Sequence, residues 1–179
     1  MGPPKPREPA RIVDLEQLEL FFRGDVVLML TELHKAGLPL VVFETRRSVE
    51  RQRWLFAEGV TKALSKGPHV YGLAIDIVLD AQHAYWADKP TRPTRVGRSG
   101  APWDTGVEIV ERKPTVVRPD VAHVVTELGA AAKRRGLEWG GDITIPSWVG
   151  RRDDPFGWDP FHVQRQHWQG HESVKRSKS

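Results

Sequence analysis

The spacing of hydrophobic positions changes period several times along the chain, and each change predicts an element. Between residues 13 and 37, Leu15, Leu18, Val26, Val27, Leu30 and Leu33 recur at helical spacing. A helix is expected there, interrupted near Gly24 and stopped at Gly37. Residues 38–45 form a short, β-branched run of the kind a buried strand uses. Ser48 can cap a second helix over 49–59, with Glu50 on the favourable side of its dipole and Gly59 at its end. Further on, Leu73, Ile75, Ile77 and Leu79 alternate with Ala74, Asp76 and Val78, the two-residue period of a strand. The clearest helix covers 118–136. Val121, Val124, Val125, Leu128 and Ala132 make its stripe, Pro119 opens it, Arg134 and Arg135 sit in its last turn, and Gly136 follows.

The remaining stretches are weaker. Residues 81–118 are proline-rich, with one short strand expected within 106–118, and loops of that length are usually functional or disordered. "LEWGGD" reads as irregular, and a last strand is expected over 161–164. Helices and strands do not alternate regularly, so the expected class is α+β. The expectation is a small antiparallel sheet packed against helices in a single domain, with one sheet in all.

Composition narrows the chemistry. The 179 residues suit one domain with a real core, divided here into a disordered arm (1–10), the domain (11–170) and a basic tail (171–179). There is no cysteine, which excludes disulfides and thiolate metal sites; any metal must be held by His, Asp or Glu. The formal charge of +4 and pI of about 9.6 suggest an acidic partner, nucleic acid or an anionic cell envelope. Much of the excess lies in "VKRSKS", however, which reads as a solvated tail. No apolar run is long enough to cross a bilayer, and the N-terminus lacks the apolar stretch of a secretory signal. A monomer made in the cytoplasm is expected.

One position resists the packing pattern. Asp76 stands in the middle of a strand bound for the core, where a bare carboxylate is costly unless it is paired or holds a cation. Gly72 lets the chain turn so that His69 can swing back over the Asp76 face. In "WDPFHVQ", Phe161 and Val163 take one face while His162 and Gln164 take the other. Two adjacent strands would then present His69, Asp76 and His162 to one point, a donor set suited to Zn²⁺ with a position left open to water. Asp159, three residues before His162, is the candidate general acid/base. The alternatives at this level are a hydrogen-bonded His69–Asp76 pair and a satisfied interface histidine at His162.

At these residues the sequence resembles the zinc peptidases of bacterial cell-wall peptides: D-Ala-D-Ala carboxypeptidases, vancomycin-resistance dipeptidases and phage L-alanyl-D-glutamate endolysins. "GPHVYGLAID" is similar to the family's Ser-x-His-x-x-Gly-x-Ala-x-Asp, and "DPFH" to its Asp/Glu-x-x-His. "TRRSVERQ" resembles its Thr-x-Arg-Ser and Arg-Gln, and "GLEWGGD" its Gly-Leu-x-Trp-Gly-Gly-Asp. The resemblance implies that His69, Asp76 and His162 bind zinc and that Asp159 is the catalytic acid/base. It also implies that Arg47 holds a substrate carbonyl or carboxylate, a role suited to a permanently charged planar guanidinium. Gly67 stands where the family has serine, Pro68 precedes His69, and Ile143 replaces a frequent tryptophan.

The function implied is a zinc metallopeptidase of peptidoglycan stem peptides, an L-Ala-D-Glu endopeptidase of the phage endolysin type. It would act in the periplasm or cell wall after release, with the anionic envelope as surroundings and no nucleic-acid partner. The alternatives are a D-Ala-D-Ala carboxypeptidase or dipeptidase, and a non-catalytic zinc-holding module such as the related Hedgehog signalling domain. Arg46 reads as solvated, and His34, His83, His123, His167 and His171 as structural or exposed. Trp54, Trp139, Trp158 and Trp168 read as core, and Trp86 and Trp103 as anchors of the long loop. Asp142 is left between orienting a metal-binding histidine and ending a turn.

Overall fold

In a computed structural model of the protein, residues 7–61, 63–80, 82–89, 107–110, 113–117, 119–142, 159 and 161–176 are described. The first helix begins later than its periodicity suggests. A 3-10 turn at Leu15–Gln17 comes first, capped by Asp14, and α1 then runs over Leu20–Lys35. The break falls at Leu18 and Glu19 rather than at Gly24. Glu19 is extended, its carboxylate accepts from the Phe22 N–H at 3.0 Å, and its own N–H donates to the Gly72 carbonyl at 2.9 Å. Gly24 lies on the exposed side of α1, where glycine weakens a helix without ending it. The inward face is Phe22, Val26, Met29, Leu30 and Leu33, and Val27 is turned to solvent.

β1 (Leu40–Glu44) is followed by α2 (Val49–Ala57), whose first turn is capped by Ser48 accepting from the Arg51 N–H at 3.1 Å. Then come β2 (Ala74–Leu79), β3 (Val107–Val110), β4 (Lys113–Val117) and α3 (Pro119–Arg134). β5 (Leu137–Trp139), β6 (His162–Arg165) and α4 (Glu172–Arg176) complete the order. The class is α+β, as expected, but with two sheets instead of one. β1-β2-β6-β5 form an antiparallel four-stranded sheet, and β3 and β4 pair separately. Pro114 argues against a strand in the sequence, yet a two-stranded ribbon consists only of edges, where proline is tolerated. β5, expected to be irregular, is too short for its period to register, and its partner lies far along the chain.

The sheet divides its residues by face. Leu73, Ile75, Ile77, Leu79 and Val163 join the stripes of α1 and α3 in one buried core, and Val121, Val124, Val125, Leu128 and Ala132 are all sealed within it. Burying each Val or Leu is worth about 1.5–3 kcal/mol, so this face holds the sheet in place. The opposite face carries the polar groups, in two rows set by strand register. Glu44, Asp76 and His162 are cross-strand partners on β1, β2 and β6. One step along lie Ala74, Gln164 and Glu138, on β2, β6 and β5. The N-terminal segment is tied to α2: the Arg51 guanidinium donates to Glu8 at 2.7 Å and to the Pro9 carbonyl at 3.0 Å. Among the described residues, no helix is long and apolar enough to cross a membrane.

Candidate metal centre

His69 lies in a 3-10 turn, Pro68–Tyr71, that Gly67 and Pro68 open without a side-chain cap. Gly72 ends the turn at φ +70°, and a Cβ there would lie 2.7 Å from the Gln17 carbonyl oxygen, so both the conformation and the space require glycine. The imidazole is buried, and its Nδ1 is 2.7 Å from the Thr45 carbonyl oxygen. A carbonyl can only accept, so Nδ1 carries the proton and Nε2 presents a lone pair. On β6 the arrangement is reversed. His162 Nε2 is 2.9 Å from Gln164 Oε1, and its Nδ1 faces inward.

The inward atoms converge. Asp76 Oδ1 is 3.1 Å from His69 Nε2 and 2.9 Å from His162 Nδ1, and the two nitrogens are 3.3 Å apart. With the protons on the outer nitrogens, all three inner atoms are acceptors, and acceptors this close repel unless positive charge lies among them. Tetrahedral ligands about 2.0–2.1 Å from Zn²⁺ would stand about 3.3 Å from one another, a little wider than the 2.9–3.3 Å found between these atoms. The donor set therefore fits the ion. His69, Asp76 and His162 are the group among the described residues able to hold a metal, and the sequence expectation that strand pairing joins them is met.

Charge in the site follows from this crowding. Where no cation lies among the three acceptors, protons on the inner histidine nitrogens take that role. Burial alone would raise the Asp76 carboxyl, but the charge on His69 and the hydrogen bonds from His162 and His69 outweigh it and hold the group well below its ordinary range. Burial would lower His162, yet its hydrogen bond to Asp76 and the charges of Asp76 and Asp159 raise it. Asp159 moves the other way from Asp76. Burial, reinforced by repulsion from Asp76, pushes its carboxyl up to about 6. Its Oδ1 accepts from the Phe161 N–H at 3.1 Å, which fixes the side chain at the entrance to β6.

Arg47, the other residue singled out, borders the centre and is heavily engaged. Its Nε and Nη2 reach Glu44 Oε2 at 2.9 and 2.6 Å, Nη1 reaches Gln52 Oε1 at 3.0 Å, and Nη2 reaches Asp76 Oδ2 at 3.2 Å. The two carboxylates are cross-strand partners, an arrangement that costs energy without a cation between them. Arg47 supplies that cation, and buried Arg51 binds the other oxygen of Glu44. Arg46 is exposed. Asp142 pairs with Lys133 at 2.7 Å on the surface. His34 and His83 make local backbone hydrogen bonds, and Trp86 is buried as the loop anchor. Trp103, Ile143, Trp148, Trp158 and Pro160 lie outside the described residues.

Sequence reasoning missed the supports. Thr45, Glu44 and Gln52 lie inside the "TRRSVERQ" neighbourhood without announcing a role. Glu138 was hidden by the unrecognised β5. Gly140 was noted only as part of a motif, and its reason is close approach: a Cβ there would lie 2.1 Å from the Asp159 carbonyl oxygen and 3.1 Å from His162 Cβ. Gln164 could be seen from its period-two relation to His162, though its partner could not.

The family model described as D-alanyl-D-alanine carboxypeptidase matches residues 60–155. The chain belongs to that family. It is therefore a hydrolase, a metallopeptidase with His69, Asp76 and His162 as its candidate metal site. The match contains His69 and Asp76, while Asp159 and His162 lie just beyond its end. No curated protein matches the sequence. Among solved structures, the L-Ala D-Glu endopeptidase ChiX of Serratia marcescens is 19% identical, over 88% of this chain and 90% of its own, with a TM-score of 0.47. The LD-carboxypeptidase LdcB is 16% identical, over 90% of this chain and 64% of its own, at 0.45. The D,D-dipeptidase VanXYg is 14% identical, over 90% and 58%, at 0.44. At these scores the three likenesses give no residue-level correspondence.

Proposed function

We propose that this carboxypeptidase-family protein is a zinc peptidase of peptidoglycan stem peptides, cutting the L-Ala–D-Glu bond in the manner of a phage endolysin. The observation that carries the metal chemistry is the trio of inward-facing acceptors on His69, Asp76 and His162, 2.9–3.3 Å apart. When bound there, zinc supplies Lewis acidity that polarises a carbonyl and acidifies water. Asp159 takes the proton as general base and returns it to the leaving amine, and a carboxyl titrating near 6 is matched to both duties at neutral pH. Arg47 holds Asp76 through Oδ2 and adds positive charge beside the reacting carbonyl.

The choice of an internal bond over a terminal one is supported by the state of Arg47. A carboxypeptidase needs a cation free to grip the substrate's end carboxylate. Arg47 is already bound to Glu44, Asp76 and Gln52. The family's own description favours the alternative, removal of a terminal D-alanine.

Digestion of purified peptidoglycan, with fragments identified by mass, distinguishes these readings. New N-terminal D-Glu on released peptides supports the endopeptidase; free D-alanine supports the carboxypeptidase; turnover that survives chelation rejects both. Asp159 must be ionised to act as base, so activity should fall as pH drops through about 6 or somewhat below, since a bound cation favours the carboxylate. Asp159→Asn should lose about 10²–10⁴-fold in rate while zinc stays bound.

A further inference from the structure

Gln164 is an amide in a place where its orientation matters. It lies on β6 two residues after His162, so both side chains rise from the same face of the sheet. Its neighbours across the strands are Ala74 on one side and Glu138 on the other. Ala74 is fully buried and ends at Cβ, which leaves the amide the width of the row. Gln164 Oε1 is 2.9 Å from His162 Nε2, and Gln164 Nε2 donates to Glu138 Oε2. An amide can present either its oxygen or its NH₂ group to an imidazole, and the two choices dictate opposite tautomers.

Glu138 removes that choice. A carboxylate only accepts, so the amide must turn its NH₂ toward Glu138 and its oxygen toward His162. The oxygen in turn accepts only from a protonated Nε2, and in the neutral ring Nδ1 is left with a lone pair aimed at Asp76 and His69. We propose that Glu138 and Gln164 are a positioning pair that locks His162 in the tautomer able to bind a divalent cation through Nδ1. This rests on the metal reading given above and extends it to two residues that touch neither ion nor substrate. It also gives a reason for Ala74, two residues before Asp76: a larger side chain there would press on the amide.

Zinc affinity, read by competition with a chromophoric chelator, tests the pair without reference to turnover. Long-range ¹H–¹⁵N spectra of the zinc-loaded protein show which ring nitrogen of His162 keeps its proton. In the unaltered protein the proton should be on Nε2. Glu138→Gln lets the two amides pair in either sense, and zinc should bind about tenfold more weakly or worse. Glu138→Lys places a pure donor there, reverses the amide and should weaken zinc further, with the zinc-free protein melting nearly where the unaltered one does. A merely structural role would instead lower melting and leave zinc affinity alone. Undiminished zinc affinity in both variants, or a His162 proton on Nδ1, would overturn the pair while leaving the metal centre standing. An unaltered protein that takes no zinc would overturn both.

Discussion

The two histidines of the centre face each other across 3.3 Å but are held by opposite means. His69 leans on a backbone carbonyl, that of Thr45, in a segment tied down by the Thr45 hydroxyl at 3.0 Å from both the Ile12 and Asp14 carbonyl oxygens. His162 leans on a side-chain amide, which leans on a carboxylate. A carbonyl has one sense and needs no further partner to select a tautomer. An amide has two senses and needs a third group to decide between them. The difference teaches where each side is vulnerable: the His69 side through its backbone, the His162 side through its side chains and the glycine packed beneath them.

The largest effect expected from this contrast comes at Gly140. Alanine there places a methyl group 2.1 Å from the Asp159 carbonyl oxygen and 3.1 Å from His162 Cβ, so both must move. Displacements of this order near reacting groups cost about 10²-fold in rate. Steady-state kinetics on Gly140→Ala should show such a fall, with zinc held less tightly. An active, tightly loaded variant would mean that the His162 side is not crowded as described.

The smallest effect is expected on the other side. Thr45→Val deletes the hydroxyl that meets Ile12 and Asp14 but keeps the carbonyl that serves His69. Stability should fall by about 1–3 kcal/mol, while zinc affinity stays close to that of the unaltered protein. Chemical denaturation and chelator competition on the same sample separate the two quantities. A sharp loss of zinc would show that His69 depends on more than the backbone.

Those supports also mark where sequence reading stopped. Asp76 announced itself because a carboxylate broke the alternation of a core strand, and His69 and His162 followed from a turn glycine and a second alternation. The α3 stripe was legible for the same reason, since five buried side chains repeat one period. α1 was harder. Its exposed face is also apolar at Leu20, Phe21, Val27 and Leu28, so its periodicity did not say which side faces inward. β5 escaped because three residues carry no period, and Glu138 went with it. Which strands pair, and hence which polar groups share a row, is a long-range property that local spacing does not encode. The bulge between Val42 and Glu44, which sets Glu44 opposite Asp76, is of that kind.

Zinc content, measured by elemental analysis on the purified protein and on Asp76→Ala after equilibration with a low, buffered concentration of free zinc, bears most directly on the whole scheme. One equivalent in the former and a small fraction of that in the latter is the predicted result. Equal zinc in both, or full peptidase activity in protein that carries no metal, would contradict it.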